Sequence, residues 1–300
     1  FIFSLIILIS INCSEQSTDN QLEQTINQKD QTTINSHTPK QSATNQNPNA
    51  NTNQLSELDS SDPCIPVVEG CTDEEAFNHN EFANTDAIPR LPGVELLGLT
   101  SVGGNVPLAR TTRNSLALLQ AVGRSDIPVA KGASRPLRGK FKYAPQFHGP
   151  GGLSLILPDP VVGAITEGAV EFLYEQLTNN EPGEVILVAL GPLTNLATLL
   201  WEHPVALEKT KNIVVMGGAV NAPGNVTAKA EFNIYSDPVA AEVVFSSGLP
   251  ISLIDLAACR QVSINREQAI RLHSNHPIGS LTSKMLQSWF SKHPNRERFE

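Results

Sequence analysis

The chain reads Val185-Ile186-Leu187-Val188-Ala189-Leu190 in its second half, and this apolar run of strand length leads into a helical pattern over residues 193–201. A strand that is apolar at nearly every position is typical of a parallel sheet that helices cover on both faces. The same alternation repeats on either side. It predicts strands at residues 94–100, 127–130, 213–216 and 251–254, and helices at residues 108–122, 165–177 and 237–247. The pattern therefore predicts an α/β fold with a mostly parallel, doubly wound sheet.

One helix has its boundaries marked by three residues. Asp237 is a favourable N-cap, Pro238 suits the first turn, and Gly248 stands past the end. This region, residues 87–300, is long enough to bury about 70% of its surface in one stable core.

The composition is uneven along the chain. Of 300 residues, 40% are hydrophobic and 17% are charged, which fits a globular protein with a polar segment attached. The formal net charge is -9, but residues 14–86 hold 13 acidic and 2 basic side chains, and residues 87–300 hold 17 acidic and 19 basic ones. We therefore expect no nucleic-acid partner, because the folded region lacks a strong basic excess.

The first 13 residues resemble the remnant of an export signal. Residues 1–11 are almost wholly apolar, too short to span a bilayer as a helix but typical of the apolar part of a signal peptide. Cys13 stands where a lipoprotein signal carries its acylated cysteine. The sequence predicts an exported protein, periplasmic or at the cell surface, and it leaves open lipid anchoring to a membrane through Cys13 and simple secretion.

Residues 14–62 are predicted to be a disordered tether. Thirty of these 49 residues are Asn, Gln, Ser or Thr, and none is aromatic. Ordering a backbone costs roughly 1–2 kcal/mol per residue, and such a segment has almost no apolar surface to offset that cost.

Residues 63–86 resemble a short module of bacterial secreted proteins that is built around Gly-Cys-Thr-Asp, here residues 70–73. Two positions depart from the pattern, since His79 replaces a Tyr and the closing Cys is absent. Cys64 and Cys71 could pair in an oxidising compartment, and the alternative is two free thiols in a loop.

Polar residues follow the predicted strands. Asn105 comes after the first strand, Thr194 and Asn195 come after the central one, and Asn225, Glu231 and Asn233 come after the next. Ligands of parallel α/β sheets bind at the carboxyl ends of the strands, and several amides with one carboxylate offer the donors and acceptors that a sugar needs. The alternative is that these residues only form turns.

Five motifs together resemble the nucleoside hydrolase family, the inosine-uridine type of N-ribohydrolase. They are Val188-Ala189-Leu190-Gly191-Pro192-Leu193-Thr194-Asn195-Leu196-Ala197, Met216-Gly217-Gly218-Ala219, Gly224-Asn225-Val226-Thr227, Ala230-Glu231-Phe232-Asn233 and Asp237-Pro238. The resemblance extends over residues 91–300. It implies that residues 87–300 form the sheet that is typical of nucleoside hydrolases.

The resemblance implies Ca2+-dependent hydrolysis of the N-glycosidic bond of a ribonucleoside, for nucleoside salvage, by a protein that forms homo-oligomers. Side chains at Asn105, Asn225, Glu231 and Asn233 would bind the ribose, and Met216 would pack against it. The carbonyl of Thr194 would bind calcium, and so would Asp86, which we interpret as the tail of the family's first acidic motif.

Two family features are missing from the sequence. The motif Asp-x-Asp-Pro-Gly-x-Asp-Asp-Ala does not occur, and the chain ends at Glu300 before the family's late His-Asp pair. These carry the general base, most calcium ligands and the group that assists the leaving base, so we assign no catalytic residue. The alternative to the enzyme is a non-catalytic surface lipoprotein that binds ribose or nucleosides.

Overall fold

The computed structural model describes residues 5–11, 94–272 and 277–299. The predicted tether at residues 14–62, the module at residues 63–86, Cys13 and Asp86 lie outside these residues. The boundaries predicted for them remain predictions.

The main sheet has six strands in the order β3-β2-β1-β4-β5-β6. They are β1 (Leu5–Ile11), β2 (Val94–Ser101), β3 (Val129–Lys131), β4 (Val185–Ala189), β5 (Asn212–Met216) and β6 (Ile251–Ile254). A second sheet pairs two short strands, β7 (Ile264–Asn265) and β8 (Arg298–Phe299).

The helices lie mostly between these strands. They are α1 (Leu108–Ala121), α2 (Pro145–His148), α3 (Ala169–Asn179), α4 (Thr194–Glu202), α5 (Phe232–Ser236), α6 (Pro238–Phe245), α7 (Leu256–Cys259), α8 (Arg266–Arg271) and α9 (Pro277–Lys292). A 3-10 turn spans Ala206–Lys209. No helix among the described residues is long and apolar enough to cross a membrane.

The sheet is parallel except at one strand. The pairs β2–β3, β4–β5 and β5–β6 are parallel, whereas β1 runs antiparallel to both β2 and β4. Leu5 of β1 lies opposite Ser101, and Ile11 lies opposite Val94. The predicted mostly parallel sheet is therefore confirmed, with an antiparallel strand at its centre. The residues of β1 belong to the run that we interpret as an export signal, and that interpretation remains a prediction.

Helices cover both faces of the sheet. Leu97 of β2 packs with the largest apolar cluster, which includes fully buried residues of β4, β5, α3, α4 and α6. Its neighbour Leu96 packs with a second cluster, which joins β2 and β3 to α1. The register with β1 shifts at Leu97, and the next two residues show the faces: a β-carbon on Gly98 would meet Phe172 of the first cluster, whereas Leu99 belongs to the second. Successive side chains of a strand point to opposite faces, so the two clusters lie on opposite sides of β2. The predicted doubly wound arrangement is confirmed.

Candidate functional site

The strands β2 to β6 place their carboxyl ends on one edge of the sheet, since they run in the same direction. The loops that follow these strands carry the polar residues singled out in the sequence. β1 runs the other way, so it presents its amino end, Leu5, at this edge.

Glu231 is the most constrained of the predicted site residues. It is 2% exposed, and its Oε2 accepts hydrogen bonds from the backbone N–H groups of Gly218 (3.1 Å), Asn233 (2.8 Å) and Ile234 (3.1 Å). The residue is the N-cap of α5, which is why a helix of five residues begins here. Burial raises the pKa of the Glu231 carboxyl, and the three N–H bonds oppose that shift.

Asn233 and Met216 are in direct contact. The side-chain amide of Asn233 donates to the Met216 carbonyl at 3.1 Å and lies 3.3 Å from its sulfur. The turn Gly217–Gly218 allows this approach, because a β-carbon on Gly217 would lie 3.4 Å from Oε2 of Glu231 and 3.1 Å from Ile234, and Gly218 has a φ of +78°. The structure therefore brings three predicted residues together at the end of β5.

Asn225 reaches the same region through its backbone. Its N–H donates to the Ala230 carbonyl at 3.1 Å, and Ala230 directly precedes Glu231. The turn is tight at Gly224, where a β-carbon would lie 2.3 Å from the Ala230 oxygen. The Asn225 residue itself is exposed, so the turn places an amide at the surface beside the buried carboxyl.

Asn105 belongs to the loop after β2. It is 8% exposed, and its carbonyl accepts a hydrogen bond from the N–H of Ala144 at 2.9 Å. Residues 133–144 also reach the other site residues, since Leu137 bonds to Asp237 and the Lys142 ammonium donates to the Tyr235 hydroxyl at 2.8 Å. One loop thus contacts both the Asn105 segment and the segment that carries Glu231 and Asn233.

Thr194 begins α4 and is 2% exposed. Its hydroxyl donates to Oδ2 of Asp237 at 2.7 Å, and its carbonyl accepts from the Thr198 hydroxyl at 2.8 Å. Asp237 also accepts from the Leu137 N–H at 2.9 Å and caps α6 through the Ala240 N–H at 3.1 Å, which confirms the predicted N-cap.

Asn195 joins three elements and is 1% exposed. Its amide donates to the Ser101 carbonyl at 3.1 Å, and its oxygen accepts from the Ala133 N–H at 2.9 Å. It therefore ties the carboxyl ends of β2 and β3 to the start of α4. The sequence singled out Asn195 as a polar residue after the central strand and as part of a motif, but nothing local in the sequence indicates its two partners.

Residues 81–300 match the inosine-uridine preferring nucleoside hydrolase family. The chain belongs to this family. A pyrimidine-specific ribonucleoside hydrolase of Citrobacter koseri is 38% identical over 69% of this chain and 66% of its own length. A probable uridine nucleosidase of rice is 40% identical over 62% of this chain and 58% of its own length.

Solved nucleoside hydrolases share the fold. A plant enzyme aligns with a TM-score of 0.64 at 32% identity, covering 68% of this chain and 66% of its own. A purine-preferring ribonucleoside hydrolase from Gardnerella vaginalis aligns with a TM-score of 0.62 at 30% identity, covering 67% and 65%. The chain spans 54–59% of the length of four curated relatives, among them the rice and Arabidopsis uridine nucleosidases.

The described residues bring together no cluster of metal-ligating side chains. Among residues 94–272 and 277–299, no three His, Cys, Asp or Glu side chains come close enough to hold a metal ion. A hard cation such as Ca2+ needs six to eight oxygen ligands. The Thr194 carbonyl is one predicted ligand, and Asp86 lies outside the described residues.

Cys259 stands near the site but is not suited to nucleophilic catalysis. It is a free thiol at the end of α7, and burial raises its pKa, with the negative charges of Glu231 and Asp255 acting in the same direction. The thiolate is the reactive form, so a raised pKa makes the sulfur less nucleophilic at neutral pH.

Proposed function

We propose that this protein hydrolyses the N-glycosidic bond of ribonucleosides and releases a free base and ribose. The observation that carries the proposal is the cluster at the end of β5, where Glu231 accepts three backbone N–H bonds and Asn233 contacts Met216. The similarity to enzymes named as uridine nucleosidases supports uridine as the first substrate to test.

The chemistry of the cluster suits a ribose. A carboxylate accepts hydrogen bonds from sugar hydroxyls, and side-chain amides both donate and accept. A site that binds hydroxyls in this way rejects analogues that lack them, because its buried polar atoms would remain unpaired at a cost of about 1–3 kcal/mol each. We assign Glu231, Asn233, Asn225 and Asn105 to the ribose hydroxyls, and Met216 to the apolar face of the ring.

In the proposed reaction, the bond between the anomeric carbon and the base nitrogen breaks. The oxygen of a water molecule bonds to that carbon, and a proton ends on the base. Positive charge develops on the ribose ring in the transition state, so the negative charge of Glu231 stabilises it by electrostatic attraction. No residue among those described is assigned to move the proton.

Calcium is part of the proposal on the family resemblance. When bound, it would lower the pKa of a water molecule. Thr194 and Asp86 remain the predicted ligands. The described residues add no group of three or more His, Cys, Asp or Glu side chains to them.

The test is base release from uridine and inosine by the full chain, measured with added Ca2+ and with EDTA. We expect release that depends on Ca2+ and is lost in Glu231→Ala, while Glu242→Ala, an exposed position on α6, keeps the wild-type rate. Nucleoside binding without release would overturn the enzyme and favour the ribose-binding alternative. Absence of both would overturn both functions.

We further propose that the protein is exported and forms homo-oligomers, with lipidation at Cys13 as the anchored form. Mass spectrometry of the mature N-terminus tests export and lipidation, since an unmodified Cys13 with cleavage elsewhere excludes the anchor. Analytical ultracentrifugation tests whether the protein forms homo-oligomers.

A further inference from the structure

The loop of residues 144–154, here called the covering loop, is attached to the segment that carries Asn105. The Ala144 N–H donates to the Asn105 carbonyl at 2.9 Å, and the Asn114 side-chain amide donates to the Gly151 carbonyl at 2.8 Å. Gly152 packs so closely that a β-carbon there would lie 2.6 Å from the side chain of Val106. The covering loop therefore contacts Asn105 itself, its neighbour Val106 and Asn114 of α1.

Helix α9 holds the covering loop from the other side. The indole N–H of Trp289 donates to the Phe147 carbonyl at 3.0 Å. Further along, the Ser154 hydroxyl donates to the Met285 carbonyl at 2.7 Å, and Ser288 and Lys292 both donate to the Ser154 carbonyl. Residues more than 130 positions apart in sequence are thus joined at two points of the loop.

The indole of Trp289 is held in one orientation. The residue is 3% exposed, its ring stacks on His293 with centroids 4.3 Å apart, and the ring of Phe299 meets it edge-on at 4.8 Å. A buried ring with fixed neighbours presents its N–H in a fixed direction, and a buried indole N–H is seldom left without an acceptor.

A short turn links the hydrogen bond between Trp289 and Phe147 to the segment that carries Asn105. The Phe147 N–H donates to the Ala144 carbonyl at 3.1 Å, which closes the turn between the two residues. The Phe147 carbonyl is held by Trp289, and the Ala144 N–H holds Asn105. Two backbone hydrogen bonds therefore connect Phe147 with the backbone of Asn105.

We propose that Trp289 is a positioning residue for the ribose site. Its indole N–H fixes Phe147, and through the turn at residues 144–147 it fixes the backbone of Asn105. The inference rests on the proposed function in one respect, namely that Asn105 binds the ribose. The restraint on the loop stands independently of that function.

The first test is hydrogen exchange of backbone amides in Trp289→Phe, which keeps an aromatic ring and removes the N–H donor together with one ring of the indole. We expect faster exchange at Ala144, Phe147 and Gly152, with unchanged exchange in β4 and β5. The control is Trp201→Phe, at a 58% exposed tryptophan on α4. Uniform acceleration across the sheet, or unchanged exchange at the covering loop, would overturn the proposal.

The second test is uridine affinity by calorimetry. We expect Trp289→Phe to bind uridine about tenfold more weakly, as loss of one hydrogen bond in a binding path implies, and Trp201→Phe to bind like wild type. Faster loop exchange with unchanged affinity would show a purely structural role and overturn the positioning role. If wild type itself binds no uridine, the proposed function fails, and the exchange test still decides whether Trp289 restrains Asn105.

A second variant covers the case in which Trp289→Phe does not fold. Ser154→Ala removes the hydroxyl bond to the Met285 carbonyl and leaves the indole in place. We expect the same direction of change in exchange and affinity, at smaller size. No change in either measurement would contradict the coupling between α9 and Asn105.

Discussion

The side chain of Asn195 fills the space that a β-carbon on Gly132 would need. Such an atom would lie 2.3 Å from both terminal atoms of the Asn195 amide and 2.5 Å from the Ser101 carbonyl oxygen. Glycine at position 132 is therefore required for the bonds by which Asn195 joins β2, β3 and α4.

We expect Gly132→Ala to lower the free energy of unfolding by about 1–3 kcal/mol, because the added methyl group overpacks a buried, hydrogen-bonded contact. Urea unfolding measures the effect. Gly163→Ala is the control, since a β-carbon there meets no atom within 4 Å. In the double variant Gly132→Ala/Asn195→Ala the clash with the Asn195 amide is removed and only the clash with the Ser101 carbonyl remains, so the combined loss should be smaller than the sum of the single losses. Additive losses would show that the contact is not the cause.

Glu231→Gln tests the charge of the buried carboxyl with little change in shape. The variant keeps one acceptor oxygen but loses the negative charge, and hydrogen bonds to charged groups contribute about 1.5–3 kcal/mol. We expect at least about tenfold weaker uridine binding, measured by calorimetry, whereas the melting temperature should not fall, because burial raises the pKa of this carboxyl and its charge therefore does not stabilise the folded chain. Glu242→Gln on the exposed face of α6 should change neither. Wild-type affinity in Glu231→Gln would remove this carboxyl from the site.

Protonation of His148 makes the free energy of unfolding depend on pH in the acidic range. Burial lowers its pKa from 6.5 to about 4, and the nearby charge of His293 acts in the same direction. The unfolded chain thus binds a proton below pH 6.5 that the folded chain does not bind until about pH 4, so stability is lost as the pH falls through this window. The loss from this group is at most about 3 kcal/mol.

Chemical unfolding at several pH values between 7 and 4 checks this expectation. His148→Gln should flatten the profile, and Gln146→Ala, an exposed neighbour without a titrating group, should leave the wild-type slope. Glu231 contributes with the opposite sign, because its raised pKa favours the folded state at low pH and this contribution is lost as the pH rises above 4.5. An equal slope in His148→Gln and wild type would contradict the assignment.

Deletion of residues 1–12 separates two interpretations of the same apolar run. If Leu5–Ile11 is the central strand of the sheet, its removal exposes the hydrogen-bonding edges of β2 and β4, and we expect loss of the cooperative thermal transition in circular dichroism. If the run serves only as an export signal, the melting curve should stay unchanged. Excision of residues 14–62 is the control, and it should preserve the transition.

The sequence predicted the core well because its signal is local. Apolar runs at residues 94–100, 185–190, 213–216 and 251–254 each correspond to a strand, and α1 begins at the predicted residue, Leu108. The helix expected at residues 165–177 begins later, at Ala169. Gly168 there forms a bridge with Lys131, which holds the preceding backbone extended beside the sheet.

Short helices escaped prediction for a physical reason. The helices α5 and α7 have five and four residues, too few to show a helical period, and they depend on side-chain caps from Glu231 and Asp255. The pattern at residues 1–11 was ambiguous in another way, because an uninterrupted apolar run is typical of both a buried strand and a signal segment.

The candidate site was predicted in part. Met216, Glu231 and Asn233 meet as the position of their loops after one strand suggested. The Ala133 N–H donates to Asn195 over 62 positions in the sequence, and the Leu137 N–H donates to Asp237 over 100 positions. Both hydrogen bonds depend on the completed fold, and no local pattern predicts them.

The antiparallel direction of β1 also determines where the chain leaves the sheet. Ile11 lies opposite Val94, so the two described residues that flank positions 12–93 are neighbours at the border opposite the carboxyl ends of β2 and β4. Closing a longer connection between fixed ends costs only about 0.6 kcal/mol per doubling of its length. This junction is therefore a permissive insertion point, where a reporter or affinity domain can be placed at the border opposite the loops that carry Glu231 and Asn105.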